Sequence, residues 1–136
     1  MALDKQASSK FQIYDEVDVA YAALGAKKYA QNIGFNNTSQ CMISTAVSEL
    51  ARNIYVYASK GFIVLHFLEN EFKQGIEVIA EDYGPGISDI EKALQDSYST
   101  GGTMGVGLPG TRRLMDEFKI ESVLGEGTKV TIVKWM

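Results

Sequence analysis

The sequence predicts an α+β chain: a two-layer sandwich with helices on one face of a mixed, mostly antiparallel sheet. Three observations lead there. Segments of alternating and helical periodicity follow one another in the order β-α-α-β-β-α-α-β-β. Two pairs of the alternating segments are joined by short charged or glycine-rich turns, as hairpins require. No internal repeat and no linker-like break interrupts the 136 residues, a length that suits one domain with a real core.

Residues 1–9 are small and polar and are read as a flexible N-terminal segment, leaving one domain over 10–136. Lys10 to Tyr14 alternates, with Phe11 and Ile13 on one face, and is a short strand. Asp15 or Asp18 starts a helix over about Val17 to Asn32, which Gly34 stops. Its apolar positions include Val17, Tyr21, Leu24, Tyr29 and Ile33. Asn36, Asn37, Thr38 and Ser39 offer N-caps for a second helix, about Ser39 to Ala58, ended by Lys60-Gly61. There Ile43, Val47, Leu50 and Ile54 recur at helical spacing and define a core stripe.

Phe62 to Leu68 and Gly75 to Asp82 read as two strands of a hairpin around the charged loop Glu69 to Gln74. Ser88-Asp89 caps a short helix through Gln95, and a Ser-, Thr- and Gly-rich loop spans Asp96 to Gly107. Pro109 stands in the first turn of another helix ending near Phe118. Lys119 to Leu124 and Thr128 to Trp135 are the last strands, around Gly125-Glu126-Gly127.

Composition narrows the function classes. A formal charge of -4 and a pI near 5.0 argue against general nucleic-acid binding and fit a partner-binding protein. The single Cys41 forbids an internal disulfide, fits a reducing compartment and is expected to pack in the core. No apolar run reaches signal-peptide or membrane-spanning length, so a cytoplasmic protein without membrane contact is expected.

Three stretches carry candidate chemistry. The first is Glu81-Asp82-Tyr83-Gly84-Pro85-Gly86-Ile87, directly after the apolar run Ile76 to Ala80. A carboxylate at a strand end, beside glycines that let the backbone approach closely, suits the amine edge of a flat ring. The same letters also spell an ordinary strand-turn-helix corner. The second is the pair Glu49 and Asn53, four apart on one flank of the second helix. An Asn oxygen suits Mg²⁺, and a Glu one turn earlier suits proton acceptance; a solvated flank is the plainer alternative. The third runs from Ser97 to Gly110, with five glycines in fourteen residues. Its end opens a helix, whose free N–H groups form an anion site. Arg112 and Arg113 are placed in the first turns of that helix, where a bound polyphosphate would offset the unfavourable dipole, or where both simply point into water. No P-loop and no protein-kinase signature is present.

Together, Glu49-Leu50-Ala51-Arg52-Asn53, the Glu81–Ile87 stretch and Gly105-Val106-Gly107-Leu108-Pro109-Gly110 resemble the N, G1 and G2 boxes of the GHKL ATPase superfamily, in that order. Within it, the phrases Glu49 to Ile54, Ala80 to Ile87, Gly107 to Phe118 and Gly125 to Thr128 are most similar to the anti-sigma-factor-type serine kinases, and among those to the stressosome switch kinases of the RsbT family. The resemblance implies a GHKL (Bergerat) sandwich and a protein serine/threonine kinase using ATP and Mg²⁺. It implies that Asn53 coordinates Mg²⁺, Glu49 is the general base and Asp82 binds the adenine amine. Gly84, Gly86 and Ile87 would then shape the adenine pocket, Gly105, Val106, Gly107 and Leu108 would meet the phosphates, and Thr128 would close the pocket through a water. Its implied substrates are STAS-domain stressosome proteins, and after release it would bind a downstream effector such as a PP2C-type phosphatase.

Two features depart from that pattern. Related kinases carry His four residues after the box Asn, where this chain has Tyr57. No Lys or Arg lies between Ser97 and Leu108, so charge for the γ-phosphate is expected from Arg52, Arg112, Arg113 or the partner, and ATP turnover alone is expected to be slow. The competing readings are a nucleotide-binding anti-sigma factor or adaptor acting by sequestration, and a detached histidine-kinase catalytic domain. His66 shares a strand face with Phe62, Val64 and Leu68 and reads as a structural histidine.

Overall fold

A computed structural model of the chain describes residues 7–94 and 107–136. The elements are β1 (Ser9–Ile13), α1 (Glu16–Ile33), α2 (Asn37–Asn53), β2 (Gly61–Glu69), β3 (Gln74–Asp82), α3 (Ile90–Ala93), α4 (Gly107–Leu114), β4 (Glu117–Val123) and β5 (Gly127–Trp135). Between α2 and β2 the helix widens into one π-helical turn, Ile54–Ala58. The strands form one sheet in the order β1-β2-β3-β5-β4. Every neighbouring pair is antiparallel, so the mostly antiparallel sheet expected from the sequence is wholly so among the described strands.

Strand alternation sends one set of side chains inward: Ile13, Ile63, Leu65, Ile76, Val78, Ala80, Val130 and Ile132 are buried. They meet the α2 stripe Ile43, Val47, Leu50 and Ile54, each at most 2 % exposed. Each such side chain contributes about 1.5–3 kcal/mol by leaving water. The stripe therefore lies where its spacing placed it, and it turns the opposite edge of α2 towards the ends of β3 and β5. Asn36 caps α2, its side chain accepting from the Ser39 N–H at 2.8 Å.

α1 packs differently. Asp15 is its N-cap and Gly34 closes it, as expected. The Asp18 carboxylate accepts from the backbone N–H groups of Asp15 and Tyr14 (3.0 and 2.9 Å), which hold its pKa below the ordinary value. Its buried side chains are Val19, Ala22, Ala26, Ala30 and Ile33, whereas Val17, Tyr21 and Leu24 are exposed. The cause is close approach. The Phe11 ring fills the space a side chain at Gly25 would need, and the Ser44 hydroxyl reaches across from α2 to the Ala23 carbonyl at 3.0 Å. Alanine is what fits between axes this near.

Two further expectations change. The helix expected from Pro109 to Phe118 is α4, Gly107–Leu114; the Asp116 N–H donates to the Val133 carbonyl at 2.9 Å, drawing the chain into β4, where Phe118 faces Ile132 across the ladder. Cys41 is exposed on α2, not packed in the core, because its position lies off the Ile43–Val47–Leu50 stripe. Half-buried His66 stands on β2 opposite Glu77, in the sheet. Among the described residues no helix is long and apolar enough to cross a membrane.

Candidate functional site

A cleft of about 580 Å³ opens between the C-terminal end of α2, the ends of β3 and β5, and the start of α4. That volume falls in the range of small-molecule sites. Leu50, Ile54, Ala80, Ile87, Ile120 and Val130 supply apolar walls, and Asn53, Asp82 and Thr128 supply polar groups among them. Residues from the sequence's three stretches thus meet around one space, although 20 or more positions separate them along the chain.

At the sheet end, Asp82 closes β3 and lines the cleft. Its Oδ1 accepts from the backbone N–H of Gly84 at 3.0 Å and of Thr128 at 3.2 Å. Two such bonds fix the carboxylate's orientation. The turn behind it needs its glycines. A side chain at Gly84 would stand 2.6 Å from the Ala58 Cβ, and Gly86 combines a φ of +80° with a Val123 carbonyl 2.6 Å from where its Cβ would be. Ser122, which the sequence reading missed, ties this end together. Its hydroxyl accepts from the Ile87 N–H at 2.7 Å, and lies 3.1 Å from the Gly127 carbonyl and 2.9 Å from the Thr128 hydroxyl. The signal was its inward register opposite Thr128 on β5.

At the helix end, Asn53 is the last residue of α2 and lines the cleft, while Glu49 one turn earlier is 8 % exposed. The Glu49 Oε2 accepts from the Gly107 N–H at 3.3 Å, and the fully buried Thr111 hydroxyl donates to the Gly107 carbonyl at 2.9 Å. Gly107 is held from both sides, and Leu108 follows it along the cleft wall. Gly105 and Val106 lie outside the described residues, as does most of the glycine-rich stretch. Directly beyond Asn53, the π-helical turn brings Ile54, Tyr57 and Ala58 onto the same wall. Such turns recur at functional sites because the extra residue redirects the side chains that follow. Ser59 ends the turn at φ 70°, a conformation that costs a non-glycine residue about 1 kcal/mol or more.

The expected cations are elsewhere. Arg112 and Arg113 occupy the last turn of α4, not its first, are exposed and do not line the cleft. At that end positive charge suits the helix dipole, so no polyphosphate is needed to explain them. Arg52 is half-buried, with Nε lacking a hydrogen-bond partner among the described residues, and it too is absent from the lining. Among the described residues, the cation on the wall is instead Lys92 of α3, beside Asp89. Nothing in the sequence singled it out, since its position depends on how α3 returns over the cleft. Among the described residues no three His, Cys, Asp or Glu side chains cluster as a metal cage. The Asn53 side chain offers the cleft a neutral oxygen, a donor type that a hard, oxygen-preferring cation such as Mg²⁺ accepts.

Comparison with known proteins gives the family. Residues 14–134 match the profile of the histidine kinase-like ATPase domain. The chain is 48% identical over 125 residues to the serine/threonine-protein kinase RsbT of Bacillus subtilis (strain 168), covering 92% of this chain and 94% of that one. It is 39% identical over 100 residues to the anti-sigma F factor of Caldanaerobacter subterraneus subsp. tengcongensis, covering 69% of this chain and 68% of the relative. Among solved structures, the RsbU and RsbW domains of a Mycobacterium tuberculosis protein superpose with a TM-score of 0.61 at 18% identity, over 94% of this chain and 31% of that longer one. A mycobacterial sensor histidine kinase, MprB, does so with a TM-score of 0.55 at 12% identity, over 96% and 97%. At those identities the two structures speak for the fold.

Proposed function

The chain belongs to the histidine kinase-like ATPase family, in the group of the serine/threonine-protein kinase RsbT, and from that premise we propose that it transfers the γ-phosphoryl group of ATP to a serine or threonine of a partner protein. The observation that carries this reading is that Asp82, Asn53 and the Gly107 held by Glu49 border one cleft. Asp82 would accept the adenine amine. The apolar walls would sandwich the ring, and Gly84 and Gly86 would let the backbone lie against it. Asn53 would hold Mg²⁺, which when bound neutralises phosphate charge. Gly107 and Leu108, at the start of α4, would face the phosphates; Gly105 and Val106 would extend that contact.

In the transfer, the partner hydroxyl oxygen bonds to the γ-phosphorus as the bond to the β,γ-bridging oxygen breaks, and ADP departs. The hydroxyl proton passes to Glu49. One oxygen of that carboxylate is oriented by the Gly107 N–H, which couples the base to the loop end nearest the phosphates. Thr128 would close the pocket through a water. The partner would be a STAS-domain stressosome protein, and the released kinase would bind an effector such as a PP2C-type phosphatase. The setting would be the cytoplasm.

The identity to anti-sigma F factors favours a second reading, in which nucleotide is structural and the chain acts by sequestering a partner. Glu49→Gln separates the two. The kinase reading expects ATP binding within about twofold of the parent and phosphoryl transfer reduced at least about a hundredfold; retained transfer to a STAS partner, read as phosphoserine or phosphothreonine, would remove Glu49 as base. Loss of partner binding with no transfer in the parent would favour sequestration.

A further inference from the structure

Behind the sheet end of the cleft, the Ser122 hydroxyl sits among three polar groups whose hydrogen-bonding roles are fixed by their chemistry. Its oxygen is 2.7 Å from the Ile87 backbone nitrogen, 3.1 Å from the Gly127 carbonyl oxygen and 2.9 Å from the Thr128 hydroxyl oxygen. An amide N–H only donates, a carbonyl only accepts, and a hydroxyl has one proton and two lone pairs. The single Ser122 proton therefore goes to Gly127, since giving it to Thr128 would leave two acceptors facing each other at 3.1 Å. One Ser122 lone pair takes the Ile87 N–H, and the other takes the Thr128 proton. No other assignment makes all three contacts hydrogen bonds. Thr128 lines the cleft and Ser122 does not, so the Thr128 hydroxyl has only lone pairs left to offer there.

Neighbouring donors are spent in the same way. The N–H groups of Gly84 and Thr128 go to Asp82 Oδ1, and that of Ile87 goes to Ser122. We infer that Ser122 is a positioning residue for nucleotide specificity: it holds Thr128 as an acceptor, so that this end of the cleft reads both N–H groups of a purine 6-amine. The inference rests on the nucleotide reading of the cleft given above. One N–H of the amine goes to Asp82. The other goes to Thr128, directly or through a water that accepts from the amine and donates to the hydroxyl. Donation then runs in one direction, from the amine to Thr128, on to Ser122 and into the Gly127 carbonyl. Hydrogen bonds aligned head to tail polarise one another, which strengthens the bond at the ligand end. A ring without the amine leaves both Asp82 and Thr128 facing it without a donor.

Isothermal titration of the full chain with ATP and with purine riboside triphosphate tests this. The second ligand has hydrogen in place of the 6-amine and keeps the N1 acceptor, so the ratio of the two affinities reports the amine alone. The parent should prefer ATP by at least about a hundredfold. Ser122→Ala frees the Thr128 proton to turn into the cleft, so ATP should weaken about five- to tenfold while the analogue stays within about twofold. Thr128→Val should narrow the preference to the same extent. Adding Ser122→Ala to it should narrow the preference no further, because Ser122 acts through that hydroxyl. Should Ser122→Ala not fold, Thr128→Val alone decides, since a Thr128 that donates to the ring would make both ligands weaken alike. Equal loss of both ligands in either variant overturns the inference and reduces Ser122 to a structural tie, with the Asp82 reading intact. A parent that binds neither ligand, or both equally, overturns the purine reading of the cleft and the inference with it.

Discussion

The two ends of the cleft are built by different means. At the sheet end, Asp82 takes two backbone N–H groups, and Ser122 links Ile87 and Thr128, so three separate chain segments are cross-tied before any ligand arrives. At the helix end, one glycine is gripped between the Glu49 carboxylate and the Thr111 hydroxyl. The first is pre-organised by sheet hydrogen bonding and close glycine contacts. The second depends on a single pair of side-chain bonds at the start of an eight-residue helix. A purine, flat and unchanged through the reaction, suits the rigid end. The phosphates, which change length and charge during transfer, suit the end with fewer constraints.

Substitutions at the two ends should therefore differ in kind as well as size. Asp82→Asn has the largest expected effect. The amide oxygen would be kept by the Gly84 and Thr128 N–H groups, turning an NH₂ donor towards the purine amine, so binding of ATP and of adenosine should both fall by more than about a hundredfold. Isothermal titration with each ligand measures it, and near-parent affinity would remove Asp82 from the site. Thr111→Val keeps the shape but strips the Gly107 carbonyl of its partner, at a cost of about 1 kcal/mol in thermal or denaturant unfolding. ATP affinity should fall several-fold while adenosine is unaffected; equal loss of both would erase the distinction between the ends. Lys92→Gln is expected to be the mildest. The residue is exposed, where solvent and salt screen its charge, so ATP should weaken by only about threefold, and less at high salt, with adenosine again unchanged.

α2 and α1 show why some of this could be read in advance. On α2 the apolar residues are large, recur at helical spacing and face the sheet, so Ile43, Val47, Leu50 and Ile54 reported the core correctly. The same stripe fixed the direction of Glu49 and Asn53. On α1 the large residues Val17, Tyr21 and Leu24 suggest one face, yet the alanine face is buried. Periodicity reveals a helix and its possible faces. Which face turns inward depends on the gap left by neighbours, here Phe11 and α2, and a single chain's letters do not contain that gap.

The misplaced arginines and the unforeseen Lys92 have the same origin. Helix dipole reasoning was sound but was applied to the wrong end of α4, because the hydrogen bond from Asp116 to Val133 ends that helix early. Lys92 reaches the cleft through the path of the chain after Gly86.

From its letters alone, the chain specified the element order, the α2 core stripe and the three stretches whose residue types suit a purine, a magnesium ion and phosphates. Those are local properties: period, turn chemistry and side-chain functional groups act within a few residues. The sheet order, the burial of alanine on α1, the Ser122 tie and the cation on the cleft wall came from packing between segments distant in sequence. Such contacts are chosen by volume and hydrogen-bond satisfaction over the whole fold, and so they emerge when all the segments are in place.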